Sequence, residues 1–209
     1  MKSDQIMRDF WNKRYDETTF AYGENPNAYF ADKIPSISAS KILFPCEGEG
    51  RNAVYAAQLG CEVHAFDLSE SAKKKAEILV KKYKVNIDYV VSELKTIDYP
   101  AESFDALVLI FAHFSAEKRK EYHQKLIGLL KKDGILILEG FSKKHQKYQS
   151  ENPQAGGPQN PEMLYDLEDL KTDFTGFDFV EAYETDTELK EGLYHVGKAS
   201  VVRIMAIKK

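Results

Sequence analysis

The sequence is poor in the residues that build disulfide frameworks and metal centres. Its 209 residues hold two cysteines, Cys46 and Cys61, with no CxxC and no histidine cluster beside either. That excludes a disulfide-stapled domain and offers no zinc pattern, so no metal site is expected. No apolar run approaches the roughly 20 residues that span a bilayer. Met1 to Arg14 is charged where a secretory signal would be apolar, so no membrane role is expected and the location should be cytoplasmic. Positive charge is not in excess either: 29 Lys and Arg stand against 33 Asp and Glu, a net charge of −4. Such a chain has no basic footprint for phosphate backbones, and nucleic acid is not an expected partner. Internal repeats and low-complexity tracts are also missing.

What is present suffices for one continuous core, since 43% of residues are apolar. We expect a single domain over 1–209, with an aromatic-rich lid or substrate segment at 1–36 ahead of a core at 37–209, as a monomer or weak homodimer. Strand and helix patterns then alternate. Lys41 to Pro45 is a short apolar run that passes through Glu47-Gly48-Glu49-Gly50 into a helical pattern over Arg51 to Leu59. Cys61 to Phe66 reads as a second strand, and Ser69 caps a helix whose far end carries Lys81, Lys82 and Lys84. Ile87 to Val91 alternates as a third strand, and Ala106 to Ala112 is unbroken apolar sequence, as central parallel strands are.

Ser115 is placed to cap the next helix, with Gly134 suited to a left-handed position past its end. Ile135 to Leu138 follows as a fifth strand. Phe141 to Pro161 is polar and rich in Gly and Pro, a loop long enough to suggest function. Asn160-Pro161 predicts a helix start, with Met163, Leu164, Leu167, Leu170 and Phe174 as its buried stripe. Phe177 to Tyr183 and Ser200 to Ile207 read as strands paired antiparallel across a long loop.

A strand that feeds a helix through Gly48-x-Gly50 brings bare backbone and a helix N-terminus close to a ligand. Asp67 ends the second strand seventeen residues after Gly50, where dinucleotide folds place the carboxylate that binds ribose hydroxyls. Together they predict a nucleoside site. Ser92-Glu93-Leu94, after the third strand, borders the same crevice and could hold an adenine edge.

The run ILFPCEGEGRNAVYAAQLG, then FDLS, SEL, FDALVLIFAHF and LLKKDGILILEGF, resembles class I S-adenosylmethionine-dependent methyltransferases over nearly the whole chain. FWNKRYDETTFAYGENPNAYF, GGPQNPEMLYDLEDL and EGLYHVGKASVVRI look more narrowly like the tellurite-resistance and thiopurine methyltransferase group. The resemblance implies an α/β, Rossmann-like fold: a seven-stranded, mostly parallel sheet with helices on both faces and a C-terminal antiparallel hairpin. It implies S-adenosyl-L-methionine as cofactor and a small-molecule acceptor, a thiol or a chalcogen oxyanion such as tellurite. Gly48, Gly50 and Asp67 would bind the cofactor's amino-acid and ribose portions, with Glu93 and Leu94 flanking adenine. The full candidate cofactor set is Cys46, Gly48, Gly50, Asn52, Asp67, Leu68, Ser92, Glu93, Leu94 and Phe111. The chain departs from the family where an acidic residue and a first glycine usually stand, because it has Phe44, Pro45 and Cys46 there.

Methyl transfer destroys charge and gains from alignment and exclusion of water, which an aromatic lid provides. Trp11, Tyr15, Phe20 and Tyr22 are the lid candidates, and Tyr22 is foremost. A thiol or hydroxyl acceptor also loses a proton, and His113 and His195 fall on the crevice side as bases. The candidate catalytic set is therefore Tyr22, His113 and His195. Arg14, Arg51 and Lys198 could hold an oxyanion, and Gly156-Gly157-Pro158 shapes the loop. Two alternatives share the glycine turn: an NAD(P)-dependent oxidoreductase, which the chain's lack of a Tyr-x-x-x-Lys pair disfavours, and a cofactor-binding protein without turnover.

Overall fold

The computed structural model describes the backbone of residues 2–209 and the side chains from Gln5 onward. Seven strands form one sheet in the order β3-β2-β1-β4-β5-β7-β6. They are β1 (Lys41–Pro45), β2 (Glu62–Asp67), β3 (Asp88–Val91), β4 (Phe104–Ile110), β5 (Leu130–Phe141), β6 (Phe177–Glu191) and β7 (His195–Lys208). The first five run parallel to their neighbours, and β7 enters antiparallel between β5 and β6. The expected architecture is thus present, with a hairpin closing one edge.

Period-2 alternation divides the apolar residues between two faces. Ala106 and Val108 of β4 pack with Phe44, Ala53, Ala56 and Ala76, under helices α2 (Ala28–Lys33), α3 (Arg51–Gln58) and α4 (Glu70–Tyr83). Leu107 and Leu109 pack with Leu126, Leu138, Leu170 and Phe174, under α5 (Ala116–Leu129) and α7 (Leu167–Asp173). Alanines at 53, 56 and 76 on this face let α3 and α4 approach closely. A Cβ on Gly50 would lie 2.6 Å from Ala76 Cβ.

Several boundaries differ from the sequence expectations. The helix expected from Asn160 is only a single 3-10 turn, Pro161–Met163. The chain then extends through Leu164 and Tyr165, bridges Ser142, and restarts as α7 under an Asp166 cap. Asp166 outcompetes Asn160 because its carboxylate accepts from both Glu168 and Asp169 N–H. The left-handed residue after α5 is Asp133 rather than Gly134. Ser115 occupies its cap position without a side-chain bond, whereas Ser69 Oγ accepts from Ala72 N–H.

The Phe141 to Pro161 stretch is not structureless, since it holds α6 (Gln146–Glu151) between short 3-10 turns. The long loop expected between Tyr183 and Ser200 is also absent. The two strands stay paired as far as Glu191 and His195, and only residues 192–194 turn. Their polar residues concealed this pairing: β6 is the edge strand, so its alternation is between half-buried and exposed positions. Ahead of the core, α1 (Lys2–Tyr15) is a helix laid against α4.

Candidate functional site

Between β1 and α3 the chain turns through five residues at the C-terminal end of β1, in the interior of the sheet. Gly48 and Gly50 have φ of 62° and 86°, and Cys46 also sits in the left-handed region at 54°. Cys46 therefore takes, as a non-glycine residue, a conformation that glycine adopts without steric cost. Phe44 lies fully buried in the core, with its ring 5.5 Å from Phe30, so the departure from the family pattern is absorbed as packing. Glu47 caps α3, accepting from the N–H groups of Asn52 and Ala53.

Asp67 reaches the turn from the end of β2. Its Oδ2 accepts from Gly48 N–H at 3.0 Å and its Oδ1 from Ser69 N–H at 2.9 Å. Burial raises its pKa to about 6 against the lowering effect of those bonds. A carboxylate has about four acceptor positions, and the N–H groups of Gly48, Ser69 and Leu68 leave room for a ligand's donor such as a ribose hydroxyl. On this observation the residues fit a nucleoside.

Helix α1 closes over this end. Arg8 donates to Glu93 Oε1 (2.9 Å) and to Leu68 O (3.4 Å), and Asn12 Oδ1 accepts from Ser69 Oγ (2.7 Å). Tyr15 stacks on Trp11, and its hydroxyl would lie 2.8 Å from a Cβ built on Gly48. Of the remaining candidates, Leu94 is buried with Cys46 packed against its cluster. Ser92 Oγ bonds locally to Glu93 O. Asn52 Oδ1 accepts from Asn27 N–H (2.8 Å), so Asn52 pins the N-terminal segment.

The other half of the crevice is aromatic. The ring of His195, at the start of β7, lies 4.4 Å from Tyr22, 4.4 Å from Phe111 and 5.1 Å from Phe141. Phe111 follows β4 with φ of 53°, an unusual conformation for a bulky residue. Its ring packs against those of His195 and Phe141. The glycine loop closes the ring, since a Cβ on Gly156 would lie 2.2 Å from Tyr194 O and 2.6 Å from His195 Cδ2.

His195 is buried, and its Nδ1 bonds Glu191 Oε2 at 3.1 Å. A carboxylate only accepts, so Nδ1 carries the proton and Nε2 keeps its lone pair. His113 is a different case and does not suit the base role expected of it. Its Nδ1 bonds Met163 O (2.8 Å), and its Nε2 accepts from Phe141 N–H (3.0 Å). Both nitrogens are engaged by main chain, so His113 ties strand ends together. Tyr22 Oη accepts from Arg14, whose guanidinium lies over the Tyr194 ring.

Glu191, Asn27 and Arg8 escaped the sequence reading, and Gly156 was read only as shaping its loop. Only Glu191 left a trace, as an acidic residue four positions from a candidate base. A cavity of about 370 Å³ lies nearby, lined by Asn27, Arg51, Glu139, Glu191 and Arg203. It touches none of Phe111, Phe141 or His195, and both of its arginines are paired to its carboxylates. Among the described residues no His, Cys, Asp and Glu group could hold a metal, and no helix is long and apolar enough to cross a membrane.

Residues 42–134, from the first strand through the fourth and into the fifth, match the family model described as a methyltransferase domain. The match covers a little under half of the chain and includes the glycine turn and Asp67. Comparison with curated protein sequences gives no significant match. Among solved structures, the domain is similar to one described for conversion of a disulfide bond into a thioacetal group during echinomycin biosynthesis. That likeness has a TM-score of 0.79 and 15% identity over 97% of this chain and 92% of the other. It is also similar to magnesium protoporphyrin IX methyltransferase (ChlM) from Synechocystis PCC 6803 with bound SAH, at 0.73 and 15% over 99% of each. TehB from Haemophilus influenzae follows, at 0.69 and 20% over 97% of this chain and 67% of that one. At these identities the likenesses speak for the methyltransferase fold.

Proposed function

We propose that the methyltransferase domain moves a methyl group from S-adenosylmethionine to a small-molecule acceptor, with a thiol as the favoured nucleophile. S-adenosylmethionine supplies a methyl group on a positively charged sulfur. The structural relative with bound SAH, the product of that donor, supports this choice, as does the spare acceptor capacity of Asp67. In this reading Asp67 accepts from the ribose hydroxyls, the bare backbone at Gly48 admits the methionine portion, and Leu94 flanks adenine.

The observation that carries the acceptor assignment is the His195 imidazole, with Nδ1 tied to Glu191, Nε2 beside Gly156, and the ring set among those of Tyr22, Phe111 and Phe141. His195 takes the acceptor's proton on Nε2, and Glu191 stabilises the resulting imidazolium. The aromatic wall excludes water that would solvate the nucleophile. The first 36 residues act as a lid: α1 lies over the nucleoside end, while Tyr22 is held above the turn by its N–H bond to Glu49 Oε2. A chalcogen oxyanion such as tellurite is a second reading, which the Arg14 guanidinium beside Tyr22 favours.

The experiment is a screen of thiols, thiopurines and selenium or tellurium oxyanions for production of S-adenosylhomocysteine, with calorimetric titration of S-adenosylmethionine and NADH. Turnover with a thiol that His195→Gln abolishes is the expected result. NADH binding without S-adenosylmethionine binding would overturn the assignment.

A further inference from the structure

The polar groups behind His195 form a buried chain that reaches across the sheet. Glu191 Oε2 faces His195 and also accepts from Arg51 at 2.8 Å, at the first residue of α3. Its other oxygen, Oε1, accepts from Asn27 Nδ2 at 3.0 Å. The same Asn27 amide nitrogen donates to Glu139 Oε1 on β5 at 2.7 Å, and Glu139 is paired through Oε2 with Arg203, its cross-strand partner on β7. Asn27 and Glu139 are only 1% exposed. Removing this much charge from water is costly unless every lone pair is met, and here each carboxylate receives at least two donors.

Two features of the chain are not required for folding alone. Cross-strand pairing places Glu191 opposite His195, but pairing does not choose which nitrogen the carboxylate meets. Arg51 and Asn27 fix the Glu191 carboxylate from both of its oxygens, so that Oε2 is held where it meets His195 Nδ1. Asn27 Oδ1 meanwhile caps α2 by accepting from Phe30 N–H, which aims its amide nitrogen at the two carboxylates.

We propose that Glu191 is the positioning residue for His195, and that Arg51 and Asn27 hold it in that role. The proposal rests on His195 being the base. Glu191 keeps the imidazole in its Nδ1–H form, and Nε2 is thereby the nitrogen presented to the acceptor. Arg51 and His195 hold the Glu191 carboxyl down at about 2 although burial alone would raise it. The groups around the imidazole are Glu191 and Arg51, Arg14 from α1, Tyr22, and the neutral imidazoles of His113 and His145.

The test reads the tautomer directly on ¹⁵N-histidine-labelled, full-length protein without ligand. The chain has five histidines, so the His195 signals are identified by their loss in His195→Gln. In the wild-type chain we expect a single Nδ1–H tautomer above its titration point. Glu191→Gln should convert it to a mixture or to the Nε2–H form. It should also lower the titration midpoint by about one unit, because Glu191 favours the charged imidazolium. Asn27→Ser keeps a side-chain oxygen to cap α2 and loses the amide nitrogen, so it should give a smaller shift in the same direction.

With dithiothreitol as the acceptor probe, the acid limb of kcat/KM in Glu191→Gln should move the same way, to lower pH. An Nε2–H tautomer in the wild-type chain, or an unchanged tautomer and midpoint in Glu191→Gln, would overturn the proposal. A changed tautomer in a protein whose turnover ignores His195→Gln would instead sink the base assignment and leave the positioning result standing.

Discussion

The two ends of the crevice are built by different means. The nucleoside end, at β1 to β3, uses main-chain groups and residues close in sequence: Gly48 and Asp67 lie nineteen positions apart and are joined by one backbone bond. The acceptor end draws on distant segments. Glu191 meets Asn27 across 164 positions, and His195 meets Tyr22, Phe111 and Phe141 through side chains alone. The first end is fixed by a turn that any such βα unit forms, whereas the second depends on side chains supplied by loops and by the hairpin. Binding of the donor and choice of acceptor should therefore separate under mutation.

The largest separation is expected for His195→Gln. Loss of a general base lowers kcat/KM by roughly 10² to 10⁴, while calorimetry should find S-adenosylmethionine affinity unchanged. Equal loss of both would show that the two ends are one site. Asp67→Ala is the mirror experiment and should raise the dissociation constant of S-adenosylmethionine at least about tenfold, or about 1.4 kcal/mol. Its pH dependence has a definite sign. Burial raises Asp67 to about 6, so the carboxylate is ionised above that pH and protonated below it. Affinity should be full near pH 7.5 and fall as pH drops through 6, a fall that Asp67→Ala abolishes.

Two glycines sharpen the contrast at lower magnitude. Gly50 has φ of 86°, and Gly156 has φ of 81° with ψ of −160°. A side chain is strained at both, by roughly 1–3 kcal/mol, before any collision. Gly50→Ala also drives a methyl into Ala76, and Gly156→Ala drives one into Tyr194 and His195. Thermal unfolding should show both destabilised. Only Gly156→Ala should then lose turnover in excess of donor binding, and the reverse pattern would place the acceptor elsewhere.

How much could be read beforehand follows the same division. The turn, Asp67 and the succession of the first five strands along the chain were legible because local periodicity and one spacing encode them. His195 was legible as a residue but not as a pair, because the polar stretch 184–190 hides a paired strand that sets Glu191 opposite it. His113 looked equivalent in sequence, and only Met163 O and Phe141 N–H distinguish it. Asn27 sits in a polar loop with no periodic signal, and its amide acts on residues 112 and 164 positions away. The helix expected at Asn160 failed because a better cap lay six residues on.

The smallest effect tests the lid. Arg8 and Glu93 are 30% and 22% exposed at their side chains, and an ion pair so placed contributes about 0.2–1 kcal/mol. Arg8→Ala should thus leave global stability nearly untouched while loosening α1 over the nucleoside end. Trp11 is the chain's single tryptophan and stacks on Tyr15 at 5.4 Å, so its fluorescence reports α1 and nothing else. S-adenosylmethionine should change that emission in the wild-type chain, and Arg8→Ala should speed the change after rapid mixing by a few-fold. An emission indifferent to S-adenosylmethionine, in protein shown by calorimetry to bind it, would mean that α1 is fixed packing. The nucleoside end would then have to be entered from the aromatic side, and the two ends would share a mouth.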